Sequence, residues 1–206
     1  MKRTAAVLVL LCALPLAGAQ AKKAGKGKKT PVKPDYGNTL VTLQTDAGDI
    51  TIKFFHDKAP KHVENFVDLA SSGFYDGTFF HRVIPGFMIQ GGDPNTKRPP
   101  DPMHPYGTGG NMVDGKEQRL KAEFNDVSHK RGIVSMARSS DPNSASSQFF
   151  IVVKDSTFLD GQYTVFGEVV SGMEVADKIV NAPRGANDLP NQPVHIKKAV
   201  LTQAKG

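Results

Sequence analysis

The chain has 206 residues, 26 of them Lys or Arg and 20 Asp or Glu, for a formal charge of +6; 39% of it is hydrophobic, enough for one sizeable core. Eight of the basic residues precede Pro34 and every acid follows it, so the rest of the chain is near neutral and offers no basic face for nucleic acid. A single cysteine, Cys12, excludes a disulfide framework.

Met1-Lys2-Arg3 is a basic start, residues 4–16 are rich in Ala, Val and Leu, and Ala17-Gly18-Ala19 supplies the small residues that a signal peptidase reads. Residues 1–19 are therefore expected to be a signal peptide cleaved before Gln20, which places the protein in a periplasm or outside the cell. An uncleaved anchor is the rival reading, but the apolar run falls short of the ~20 residues that span a bilayer. No stable membrane insertion is expected after cleavage. Residues 20–37 are mostly Lys, Gly, Ala and Pro and are expected to be a disordered linker. No aromatic residue interleaves its lysines, so nucleic acid is not an expected partner. The folded domain is expected over residues 38–206.

Residues 40–45 alternate as a strand, residues 46–49 turn, and residues 50–55 return as its hairpin partner. Pro60 suits a first helical position. Val63, Phe66, Val67 and Ala70 follow at helical spacing, and Gly73 ends the helix. Residues 78–84 and 87–90 read as strands meeting at Pro85-Gly86. Residues 93–121 are polar and rich in Pro and Gly, a long loop of the kind that is functional or mobile. Strands are expected at 132–137, 148–153, 163–170 and 194–202. A short helix is expected at 172–180, with Met173, Ala176 and Val180 on one side. About eight strands joined largely by hairpins, with two helices, suit a mainly β fold, a closed eight-stranded antiparallel barrel capped by two α-helices.

The run Phe79-Phe80-His81-Arg82-Val83-Ile84-Pro85-Gly86-Phe87-Met88-Ile89-Gln90-Gly91-Gly92-Asp93 sets an arginine and a glutamine among apolar residues. A guanidinium is always charged and carries five donors, so it sits there only if something accepts them. Either Arg82 is a half-exposed strand residue paired with a carboxylate such as Asp93 or Glu123, or it points into an apolar groove and donates to a ligand.

The order of the residues bears on that choice. Phe80-His81-Arg82, Pro85-Gly86-Phe87-Met88 and Gln90-Gly91-Gly92-Asp93 closely resemble the signature of the cyclophilin peptidyl-prolyl isomerases. Ser135-Met136-Ala137 with Ser147-Gln148-Phe149-Phe150-Ile151, and Phe158-Leu159-Asp160-Gly161 with Val165-Phe166-Gly167, agree with it in order. The resemblance spans roughly residues 40–203. It implies an eight-stranded barrel with a helix over each end and an enzyme that accelerates rotation about Xaa–Pro bonds without a cofactor. It implies Arg82 as the catalytic donor and Gln90 as a partner of Arg82 or of the substrate carbonyl. Phe87, Met88, Phe150 and Leu159 would line the proline pocket. Ala137, Arg138 through its backbone, and Gln148 would hold the residues before the proline. Phe80 would buttress the strand; Phe158 and Tyr163 would stand at the pocket rim.

Each residue also has a plainer reading. Phe80 and Phe150 are ordinary core aromatics in many β proteins, Met88 a gap-filler and Gln148 a strand cap. His81, next to Arg82 in a strand, is expected to face the other way as a structural hydrogen-bonder. The six histidines are scattered, so no metal is expected. Two positions depart from many eukaryotic members: Phe158 stands for a tryptophan, removing an indole N–H that contacts cyclosporin, and Tyr163 for a histidine. The 138–147 loop has the longer form of bacterial members. The expectation is a monomeric bacterial folding catalyst acting on proline-containing segments of exported proteins. The alternative is a non-catalytic binding module or chaperone on the same fold.

Overall fold

The computed structural model describes residues 34–204. The expected signal peptide, residues 1–19, and nearly all of the expected linker lie outside the described residues. Tyr36, placed with the linker on sequence grounds, is packed into the domain: its hydroxyl donates to Asp68 at 2.8 Å and its ring stacks on His56.

Strands β1 (Thr39–Thr45) and β2 (Gly48–Phe54) form the expected hairpin, burying Val41, Leu43, Ile50, Ile52 and Phe54 at the two-residue period of a strand. Helix α1 (Pro60–Ser71) begins on Pro60, whose missing N–H costs nothing in a first turn, and ends before Gly73, which takes φ 74°. Short strands β3 (Arg82–Ile84) and β4 (Met88–Gly91) follow, then a small ribbon of β5 (Met112–Val113) and β6 (Lys116–Glu117) inside the long loop. Strands β7 (Ile133–Met136), β8 (Phe149–Val152) and β9 (Val165–Ser171) lead to helix α2 (Met173–Val180) and the last strand, β10 (Ile196–Gln203). The face that α2 buries is Val175, Ala176, Ile179 and Val180; Met173 packs at its margin rather than at its centre.

Eight strands make one antiparallel sheet in the order β10-β1-β2-β9-β7-β8-β4-β3. The fold is the expected one, but the barrel is not closed by a regular ladder. The seam between β3 and β10 is carried by residues 77–80, with bonds from Gly77 N to Ile196 O (2.7 Å), Ile196 N to Thr78 O (2.7 Å) and Phe80 N to Val194 O (3.3 Å). A strand does not continue through this seam because other groups claim its backbone. Phe79 N donates to the Thr96 hydroxyl, and Thr78 N and its hydroxyl both donate to Tyr75 O. The main core lies between the sheet and α1. At its centre Phe66 meets Phe54, Tyr75, Phe149 and Phe166 at ring separations of 4.9–5.5 Å, packing whose removal by Phe→Ala costs ~3–5 kcal/mol.

The pleat divides three adjacent strands between two apolar clusters. Val83, Ile89, Phe149 and Ile151 join the main core, while Met88, Phe150 and Val152 join a second cluster with Leu159 and Val165 on the outer face. That outer face carries the groove.

Candidate active site

Register builds the floor of the groove. Arg82 pairs with Gln90, and Gln90 with Phe150, so these three side chains stand in one row across β3, β4 and β8. They share a face because partners directly across a ladder point the same way. Next to this row lies an apolar slot. Met88, Phe150 and Leu159 are almost wholly buried at its base, and Phe87, Phe158, Ala137 and Tyr163 form its sides. The Phe87 and Phe158 rings lie 5.6 Å apart, and Tyr163 meets Phe150 edge-on at 5.6 Å. The whole groove encloses about 1100 Å³.

Arg82 leaves the strand into this groove with its side chain 45% exposed. Neither carboxylate proposed for it on sequence grounds is its partner. Asp93 is buried and accepts from Asn95 N and Gly107 N. Glu123 accepts from the backbone of Lys61 and His62 and meets His62 Nδ1 at 2.6 Å. The nearest carboxylate to Arg82 is instead Asp188, with Oδ2 3.7 Å from Nε, beyond hydrogen-bond range.

Gln90 does not bond Arg82. Its amide Nε2 donates to Gln148 Oε1 at 3.0 Å, and Gln148 Nε2 donates to the Gly109 carbonyl at 2.8 Å. Gln148 therefore ties β4 to the long loop and does not line the groove. Phe80 does not reach the groove either: it is fully buried, packed on Phe149 and against Gly91, where an added Cβ would lie 3.1 Å from its ring. Both belong to the supporting layer: Phe80 precedes β3, outside its pleat, and packs into the main core, and the Gly109 carbonyl draws Gln148 aside.

Arg138 contributes its side chain as well as its backbone. The guanidinium lies 4.6 Å over the Tyr163 ring, a cation–π contact. Its donors reach the carbonyls of Gln162, Ser139 and Ser140. It holds Tyr163 in place at the side of the groove.

His81 departs from expectation. It is buried at the groove's edge, yet neither ring nitrogen makes a hydrogen bond. Burial pushes its pKa down to about 4, the Arg82 charge acting in the same direction and Asp93 opposing it. At neutral pH the imidazole is uncharged, so it adds no second cation beside Arg82.

Two loops, none of whose residues has a site role on sequence grounds, complete the walls. One, around Pro100–Gly107 in number, is held by Asp93 and by Asn95 Nδ2 donating to Pro105 O at 3.1 Å. Its length and proline content were a usable signal. The other runs through residues 186–189 and carries Asp188; it has no periodic pattern that could have marked it. Among the described residues, no group of three His, Cys, Asp or Glu side chains is placed to hold a metal ion.

What this arrangement can do is limited by what it contains: an apolar slot, a guanidinium with free terminal donors, and an amide network that fixes the floor. It can hold a small apolar ring and hydrogen-bond an atom beside it. The family model for cyclophilin type peptidyl-prolyl cis-trans isomerase matches residues 40–201. A probable peptidyl-prolyl cis-trans isomerase of Brucella abortus is 44% identical over 84% of this chain and 87% of its own length. Peptidyl-prolyl cis-trans isomerase A of Dickeya dadantii is 46% identical over 82% and 84%. A cyclophilin type isomerase of Cryptosporidium parvum, crystallised in the presence of the dipeptide Ala-Pro, superposes with a TM-score of 0.70 at 34% identity, covering 80% of this chain and 99% of that one.

Proposed function

The chain belongs to the cyclophilin type peptidyl-prolyl cis-trans isomerase family, and from that premise we propose that it turns Xaa–Pro bonds over in this groove, with Arg82 as the catalytic donor. An Xaa–Pro bond has only a small trans preference, but amide resonance sets a rotation barrier of ~18–20 kcal/mol and uncatalysed exchange takes ~10–100 s. Rotation breaks no covalent bond and moves no proton. As the amide twists, conjugation is lost and the prolyl nitrogen regains its lone pair. A donor aimed at that nitrogen binds the twisted state better than either planar state, which is the condition for catalysis.

The proline ring would enter the slot over Met88, Phe150 and Leu159, against Phe87 and Phe158. That placement brings its nitrogen towards the row occupied by Arg82 and Gln90. Raising exchange from ~0.01–0.1 s⁻¹ to ~1–10³ s⁻¹ requires roughly 1.4–7 kcal/mol. One preorganised donor in a water-poor site supplies ~2.7–4 kcal/mol. At the upper end the slot must contribute too, by holding the ring and excluding water from the amide.

The observation that carries this reading is that Arg82, Gln90 and Phe150 share one row on the groove face while no hydrogen bond occupies the Arg82 guanidinium. Arg82→Ala should lower kcat/KM for an Xaa–Pro peptide at least tenfold, read by NMR exchange, with the circular dichroism spectrum retained. Arg82→Lys should also be poor, because an ammonium cannot reproduce the planar fork. Unchanged exchange in Arg82→Ala would refute the role.

The proposed substrates are proline-containing segments of exported proteins, and the proposed setting is a periplasm or the cell exterior. The motif at residues 1–19 supports this. N-terminal sequencing of the protein recovered from that compartment should begin at Gln20. Light scattering should give the mass of a monomer.

A further inference from the structure

We propose that Asp188 is a positioning residue for Arg82, an inference that rests on Arg82 being the catalytic donor. Three features of the 183–191 loop lead to it. The loop is cinched at its base: Asn191 N bonds Pro183 O at 2.8 Å, and Gly185 N bonds Leu189 O at 2.9 Å. Near its tip, Asn187 and Asp188 both adopt left-handed backbone, with φ 58° and 59°. Non-glycine residues hold that conformation only where their surroundings enforce it, and such residues gather at functional sites. The result is that the Asp188 carboxylate is set between two arginines, 3.3 Å from Arg184 Nε through Oδ1 and 3.7 Å from Arg82 Nε through Oδ2.

The approach to Arg82 is made at Nε, the stem end of the guanidinium. The two terminal amino groups are left for the groove. At 3.7 Å the carboxylate takes no donor from Arg82, so it does not compete with a substrate for one. It biases where the charge sits. A long, half-exposed side chain with no hydrogen bond would otherwise spread over many rotamers, and narrowing them raises the fraction of enzyme ready to donate. Arg184 has a part in this: it shares the carboxylate, offsets its charge and holds it at the tip.

The test measures kcat and KM separately for an Xaa–Pro peptide. Asp188→Asn keeps the shape and tolerates the left-handed backbone. It should lower kcat about three- to tenfold while KM stays within about twofold. Asp188→Gly relieves the backbone and should hold or raise the melting temperature, yet lose kcat to a similar degree; a purely structural role moves both quantities together. In an Arg82→Lys background, Asp188→Asn should cause no further loss. The Arg82 ¹⁵Nε resonance should be a single sharp signal in the unmodified protein and broaden in Asp188→Asn. Unchanged or raised kcat in Asp188→Asn overturns the proposal, as does an equal loss in both backgrounds. If Arg82→Ala is itself without effect, the reading of the active site fails instead, and the two failures are told apart by that one variant.

Discussion

Gln90 donates to Gln148 at 3.0 Å, and Gln148 in turn donates to the carbonyl of Gly109, so the row that carries Arg82 is braced against the long loop by side-chain amides. The brace gives each of the two glutamine amides a partner. Both side chains are half-buried, where an amide left without a partner is costly.

Gln148→Leu removes the acceptor of Gln90 and the donor to Gly109 together. A hydrogen bond of this kind contributes about 0.5–1.5 kcal/mol, so kcat/KM should fall about two- to tenfold. Peptide kinetics on the purified variant check this. Gln148→Glu keeps the acceptor and loses the donor, and should lie between the two.

The Phe158 ring is 64% exposed and rests on Phe87 alone among the aromatic contacts of the described residues. Phe158→Ala should therefore leave stability within about 0.5 kcal/mol. It removes one side of the slot, and KM should rise about fivefold, equivalent to about 1 kcal/mol of apolar contact, while kcat is largely kept. A thermal melt alongside saturation kinetics separates the two effects.

The depressed pKa of His81 makes stability depend on pH. Its folded value of about 4 lies below the ordinary 6.5, so between those limits the unfolded chain binds a proton that the native protein does not. The stabilisation is complete above about pH 6.5 and is lost as pH falls towards 4, reaching a total of about 3 kcal/mol. His62, also lowered by burial although Glu123 opposes the shift, acts with the same sign. Urea unfolding at pH 7, 5.5 and 4.5 should show this loss. His81→Phe should show a visibly flatter profile, and an unaltered profile would exclude His81 as its source.

Gly92 precedes the buried Asp93 that anchors the long loop and takes φ 83°. A Cβ there would lie 2.6 Å from Ser147 O and 2.9 Å from the Phe149 ring. Left-handed backbone and overlap with a main-chain atom each cost about 1–2 kcal/mol or more. Gly92→Ala should destabilise by at least about 2 kcal/mol in urea unfolding, and KM should rise as the loop loosens.

Much of the site could be read before any coordinates. The resemblance puts Phe87, Met88, Phe150 and Leu159 in one pocket with Phe158 and Tyr163 at its rim, and all six line the groove. The strand β8 is apolar throughout, so its pattern does not tell Phe150 from its neighbours; the resemblance marks Phe150, and the pleat places it on the groove side. The same rule would set His81 on the face opposite Arg82, but residue 81 precedes β3 and its buried ring lies at the edge of the groove that Arg82 enters.

By itself the sequence determined which residues share a face: the inward stripe of α1, the alternate residues of β4 and of β8, and a fold assembled from hairpins. These follow from periods of 3.6 and 2, which are local properties of the chain. Tertiary structure alone decided who meets whom. It sent Gln90 to Gln148 rather than to Arg82, left the barrel seam to residues 77–80 in place of a full strand, and brought Asp188 to Arg82 from a loop with no pattern of its own. The reason is physical. Periodicity reports the direction of a side chain from its own backbone, whereas a hydrogen bond or ion pair depends on where a distant loop is pinned, and that is set by packing between segments far apart in the chain.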